Sequence, residues 1–149
     1  MKIEFVTYDF SFLQASTQWL SDSEIRFLTA TPMISQETQE KWFASLTTKK
    51  DYYIKGILAD GKPIGACGLK HITEVDGEYW GYIGEKNYWR KGIGKQMMAF
   101  IEKYARSLKL KQIYLKVIPE NIRAIQLYTK QGYVEDENNS EIIKMCKQL

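Results

Sequence analysis

Between residues 78 and 117 the chain reads as strand, glycine-bearing loop, long helix and strand, and no other stretch narrows its fold as far. From Ile93 onward the apolar side chains fall at Ile93, Met97, Ile101, Tyr104, Ala105 and Leu108, the spacing of a helix with one apolar stripe. Such a stripe has to be covered. The β-rich segments on either side, 78–84 and 112–117, supply a sheet to cover it. Two strands joined through a crossover helix run parallel, so the expected core is a sheet with one parallel crossover at its centre.

The rest of the chain adds antiparallel neighbours. Segments 52–59 and 63–72 read as strands joined across Asp60-Gly61, a hairpin dipeptide, and Asp76-Gly77 reads as a further turn into the strand at 78–84. An alternating start at Ile3 and Phe5 gives a first strand; helices follow at 12–19 and 36–46, the second with a cap signal from Thr38 to Lys41. A last helix, 121–131, stops at Gly132 in a left-handed cap position, and 133–137 with 141–147 close the chain as a hairpin. The expected fold is α+β, a mixed, mostly antiparallel central sheet of about seven strands flanked by about four helices, forming a single domain over 1–149.

Composition excludes several functions. With 149 residues, 44% hydrophobic and 26% charged, the chain suits one globular unit. No apolar run approaches the ~20 residues of a membrane span, and the start MKIEFVTYDF lacks the apolar centre of a signal peptide, so a cytoplasmic location is expected. A net charge of +3 is too small for a nucleic-acid surface, but the basic residues cluster from Arg90 to Lys116, a local field suited to a small polyanion. Cys67, Cys146 and the lone His71 have no metal-ligand spacing; both cysteines read as reduced apolar fillers, and no metal site is expected.

The loop Tyr88-Trp89-Arg90-Lys91-Gly92-Ile93-Gly94-Lys95 has the parts of an anion cradle. Gly92 and Gly94 let backbone N–H groups converge on a ligand, and the helix they open presents unpaired N–H groups and a positive dipole end. Arg90, Lys91 and Lys95 add charge at the same point, which suits a pyrophosphate.

Paired with Asn121-x-x-Ala124-Ile125-x-Leu127-Tyr128-x-Lys130-x-Gly132-Tyr133, this run resembles the GCN5-related N-acetyltransferase (GNAT) superfamily, over residues 52–137. The resemblance implies acetyl-CoA as co-substrate and transfer of its acetyl group to a primary amine by direct attack in a ternary complex. It implies that the backbone N–H groups of Arg90, Lys91, Gly92, Ile93, Gly94 and Lys95 hold the pyrophosphate. Ile83 and Gly84 would hydrogen-bond the pantetheine arm, with Asn121 touching the same arm while capping its helix. Tyr128 would return a proton to the departing sulfur, and an N–H near Ile83 would meet the oxyanion. Glu78, fourteen residues before Gly92, sits where the histone-type branch carries its base; His71 is the runner-up. By strand alternation Glu78 shares a face with Trp80 and Tyr82, aromatic neighbours that would take it out of water. Gly81 and Gly84 independently signal a close backbone approach within a strand. One position departs from the family: Trp89 stands where glutamine or arginine is common.

The acceptor is less legible. Ile25-Arg26-Phe27, Ile34-Ser35 and Lys41-Trp42-Phe43 are similar to the pattern of family members that acetylate amino-sugar nucleotides, with Arg26 for a phosphate and Trp42 for a ring. Glu74, Asp76 and Glu78 would instead suit a polyamine. A protein or peptide amine and a non-catalytic coenzyme A binder stay open as well. The expected partner is a small-molecule amine, with neither nucleic acid nor membrane and with room for a homodimer.

Overall fold

The crossover expected at the centre is the one parallel pairing in a seven-stranded sheet of order β1-β2-β3-β4-β5-β7-β6, in a computed structural model that describes all 149 residues. The strands are β1 (Ile3–Thr7), β2 (Tyr53–Ala59), β3 (Lys62–Lys70), β4 (Asp76–Ile83), β5 (Gln112–Val117), β6 (Val134–Asn138) and β7 (Ile143–Gln148). Five helices accompany them: α1 (Phe10–Trp19), α2 (Ser23–Leu28), α3 (Gln36–Ser45), α4 (Ile93–Ser107) and α5 (Ile122–Lys130).

The helix count is one above expectation. At six residues α2 is too short to show a stripe, and its signal is Asp22, whose carboxylate accepts from the Ile25 N–H as an N-cap. The cap of α3 is Ser35 rather than the Thr38 to Lys41 stretch, because the Ser35 hydroxyl accepts from the Thr38 N–H. Asp60-Gly61 turns as expected, both residues at positive φ (48° and 81°). Asp76-Gly77 does not turn; both lie inside β4. The turn sits earlier, where the Thr73 hydroxyl accepts from the N–H groups of Val75 and Asp76 and donates to the Asp76 carboxylate. That shift carries Glu78 from a turn edge into the body of the strand.

Two cores cover the two faces of the sheet. On one, α4 buries Ile93, Met97, Met98, Ile101 and Ala105 against Leu69, Tyr79, Ile113 and Leu115. Each large side chain so buried contributes about 1.5–3 kcal/mol. Cys67 joins this core, its thiol pushed up to about 12 by burial, and Cys146 is also buried and unbridged. On the other face Tyr8, just after β1, and Phe12, Leu13, Trp19 and Ile25 from the first helices pack against Ala66, with Trp42, Trp80 and Tyr82 around them.

The second core is tied to the end of β4 through Gly84. Its N–H donates to the Ile64 carbonyl at 2.7 Å, and the place a Cβ would occupy lies within the Trp19 indole. Trp19 in turn donates from Nε1 to Glu85 Oε2 at 2.6 Å, and that hydrogen bond, with Lys62 beside it, holds the Glu85 carboxyl below its usual range. Gly84→Ala is expected to cost about 1–3 kcal/mol of unfolding free energy, since neither the indole nor the strand can move aside freely. Urea denaturation measures this, and an unchanged midpoint would show that the Trp19 contact is slack.

Candidate active site

The site begins where β4 and β5 stop pairing. Their ladder holds only Asp76↔Gln112, Gly77↔Ile113 and Glu78↔Tyr114, although β4 continues to Ile83 and β5 to Val117. The Gly84 to Ile64 bond sets the alternation on β4, so beyond the ladder the N–H and C=O of Gly81 and the N–H of Ile83 turn away from β3, toward the gap. Backbone groups facing a gap between two strands are unsatisfied strand-pairing sites. An extended ligand can complete them.

The helix end at the head of this gap is open. Gly92 caps α4 at φ 80° without any side-chain cap, and the first turn has no acidic residue. A Cβ on Gly92 would meet nothing within 4 Å, so the space before these N–H groups is free. Gly94 answers a different need: its Cβ would sit 2.8 Å from Leu127 Cδ2, so it lets α5 pack closely. Arg90 also lies in the left-handed region, at φ 62°, a strain of about 1–2 kcal/mol that no sequence signal announced. Trp89, the departure from the family pattern, donates from its indole to the Ile83 carbonyl at 2.8 Å and lies against Lys86 and Arg123. It ties the loop to the end of β4.

A cleft of about 1060 Å³ runs through this gap. Residues of both cores line it, among them Met97, Leu115 and Tyr128 from one face and Tyr8, Trp42 and Trp80 from the other. It therefore crosses the sheet. Of the residues singled out from sequence, Glu78, Ile83, Arg90, Gly92, Ile93, Gly94, Lys95, Asn121 and Tyr128 line it, while Gly84 and Lys91 do not. Gly84 has its N–H committed to Ile64, and the close approach that its glycine signals is made by Trp19. A Cβ on Gly81 would likewise crowd Tyr79 and Met97, but Gly81 itself lines the cleft, so only Gly84 reports nothing but the protein's own packing.

Asn121 caps α5 through an Oδ1 that accepts from the Ala124 N–H, and its Nδ2 donates to the Leu28 carbonyl at 3.3 Å. It thus clasps α2 to α5 across the mouth of the cleft. Tyr128 packs between Tyr79 and Tyr133, and burial pushes its phenol up to about 12. It keeps its proton throughout the neutral range.

Glu78 is 6% exposed. Its Oε1 lies 3.1 Å from His71 Nδ1 and its Oε2 3.8 Å from Lys70 Nζ, so the two residues weighed as bases are neighbours. The other polar residues expected at the acceptor site are elsewhere. Arg26 donates to the Leu20 carbonyl at 2.8 Å and closes the end of α1, satisfying a carbonyl left free where that helix stops. Asp76 is held by Thr73, and Glu74 is exposed in the turn, leaving Glu78 alone of that acidic trio in the cleft. Sequence reasoning missed Tyr8, Gln39 and Tyr52, which also line the cleft and give no motif.

The model of the Acetyltransferase (GNAT) family matches residues 14–133. The chain belongs to that family. It is 34% identical over 95 residues to a probable spermine N(1)-acetyltransferase of Bacillus subtilis subsp. natto, an alignment covering 57% of this chain and 62% of that protein. Thus the match spans about three fifths of that curated relative. The fold is shared with spermidine N-acetyltransferase of Vibrio cholerae in complex with CoA and spermine, with TM-score 0.87, 19% identity and coverage of 98% and 95% of the two chains. It is also shared with N-acetyltransferase PseH of Campylobacter jejuni in complex with acetyl coenzyme A, with TM-score 0.77, 19% identity and 99% coverage of each chain.

The residues of this GNAT chain fit coenzyme A on their own geometry: an uncapped helix end with free space before it, Arg90 and Lys95 beside it, and unpaired strand edges leading inward. Gly92→Ala is expected to cost about 1–2 kcal/mol of stability through its positive φ. Because the new methyl enters the anion's space, coenzyme A affinity should also fall more than about tenfold. Calorimetric titration with coenzyme A tests this, and unchanged affinity would remove the helix end from the site.

Proposed function

We propose that this GNAT chain transfers the acetyl group of acetyl-CoA to a primary amine carried by an oxygen-rich ring, with an amino-sugar nucleotide as the acceptor class. The observation that carries the reading is the cleft through the sheet, into which Tyr128 opens from the α4–α5 face while Glu78 lies with Trp80 and Tyr82 on the other. A thioester laid in the gap would meet a proton donor on one side and a proton acceptor on the other.

Each demand of the reaction then has a residue. The amine has to lose a proton before it attacks, and the buried Glu78 carboxylate accepts it. The Ile83 N–H, turned into the gap, is placed for the charge that develops on the carbonyl oxygen. As the carbon–sulfur bond breaks, Tyr128 supplies the proton that sulfur takes up. The first turn of α4, with Arg90 and Lys95, holds the diphosphate. Lys91 contributes charge from outside the cleft, and Asn121 acts through its clasp on Leu28.

The acceptor class rests on the walls. Tyr8, Trp42, Tyr52, Trp80 and Tyr82 form an aromatic lining suited to the apolar face of a sugar. Of the three acids lining the cleft, Glu24 is bound by Lys86 at 2.8 Å and Glu78 lies beside Lys70, so Glu120 is the one without an ion pair that a cationic acceptor would find. The polyamine reading is favoured by the 34% identity to the probable spermine N(1)-acetyltransferase. Thiol release from acetyl-CoA, measured against nucleotide-linked amino sugars, spermine, spermidine and peptide amines, decides between them. Turnover of spermine alone would reverse the choice, and turnover of none would leave a coenzyme binder.

Tyr128→Phe is expected to lower kcat about 100-fold or more while coenzyme A affinity stays near wild type, since only a proton donor is removed. With the phenol raised to about 12, Tyr128 does not ionise as pH climbs from 8 to about 10. Any alkaline limb in that window belongs to another group and should persist in the phenylalanine variant. A limb that vanishes there would contradict the assignment.

A further inference from the structure

Acetylation of an amine that arrives as an ammonium ion releases one proton per turnover: the thioester and R–NH₃⁺ give the amide, the thiol and H⁺. That proton has to leave a site whose acceptor, Glu78, is 6% exposed. We propose that His71 is the relay that carries it from Glu78 to solvent, an inference that rests on Glu78 being the base.

Three observations place His71 in this role. Its Nδ1 is 3.1 Å from Glu78 Oε1, while its side chain is 63% exposed and lines no part of the cleft. One edge of the ring therefore meets the buried carboxylate and the other meets water. The remaining charged neighbour, Lys70, sits 3.8 Å from Oε2 and lines the cleft. An ammonium has no lone pair with which to accept a proton, whereas a neutral imidazole presents an acceptor nitrogen on one edge and an N–H donor on the other. Across the parallel ladder the partner of Glu78 is Tyr114, a phenol that also holds its proton at neutral pH. Finally, His71 stands at φ 52°, a left-handed position uncommon outside glycine, immediately after β3. The turn after β3 thus holds the imidazole beside Glu78 at the cost of local strain.

The steps balance. Glu78 takes the proton of the ammonium, and the freed lone pair forms the carbon–nitrogen bond. The proton that the nitrogen sheds on forming the amide balances the one that Tyr128 gives to sulfur. Glu78 then passes its proton to Nδ1 of a ring carrying hydrogen on Nε2, and Nε2 releases its own to water. The ring is left with hydrogen on Nδ1, and because most of it is exposed it can turn over and exchange with water before the next cycle.

The experiment compares His71→Ala, His71→Asn and Glu78→Gln, with acetyl-CoA and a nucleotide-linked amino sugar as acceptor and spermine in parallel. Asparagine tolerates the left-handed backbone and can still donate to Glu78, but it carries no proton onward. Both His71 variants should lose about tenfold or more in kcat with little change in KM for acetyl-CoA. Added imidazole should restore His71→Ala in proportion to its concentration and leave wild type unaffected. Full kcat in His71→Asn, or no rescue of a folded His71→Ala, overturns the relay while an inactive Glu78→Gln keeps the base. A fully active Glu78→Gln overturns the base itself, and the relay with it.

Discussion

The whole arrangement depends on two adjacent parallel strands parting company after three residue pairs. Had β4 and β5 stayed together to their ends, their backbone groups would have satisfied one another and the sheet would have been closed. Because they separate, the edge of β4 keeps polar groups directed into a gap, and such groups inside a protein cost free energy until something hydrogen-bonds them. An extended ligand can supply that partner. The crossover helix α4 begins at the carboxyl ends of the same strands, where open α/β sheets commonly place their ligands.

Packing on both faces holds the gap in place. On one side α4 and α5 meet closely because Gly94 leaves room for Leu127. On the other, Trp19 fills the space above Gly84, and Trp89 fastens the loop before α4 to the Ile83 carbonyl. The Asn121 clasp on Leu28 spans the mouth between them. Each tie joins segments distant in sequence, so the cleft is a property of the assembled molecule rather than of any one motif.

Glycine illustrates how far local reading goes. Gly92 is left-handed and faces free space. At Gly81 and Gly84, by contrast, protein side chains fill the space that their missing Cβ atoms leave. A sequence reports that something approaches the backbone; it does not say whether that is a ligand or an indole. Arg26 and the acids at Glu74 and Asp76 show the parallel limit for charge, having been taken by a helix-end carbonyl and a turn.

The sequence by itself determined the sheet with its central parallel crossover, the glycine-led helix end, the α5 motif with Tyr128 and the family. These follow from periodicity, turn chemistry and short spacings, which are local and so leave a trace in a single chain. Tertiary structure decided where the ladder opens, which aromatic side chains line the cleft and that His71 and Glu78 are partners. Those facts come from the register of β3 on β4 and from packing between residues dozens of positions apart, where the energy resides in contacts that no local pattern encodes.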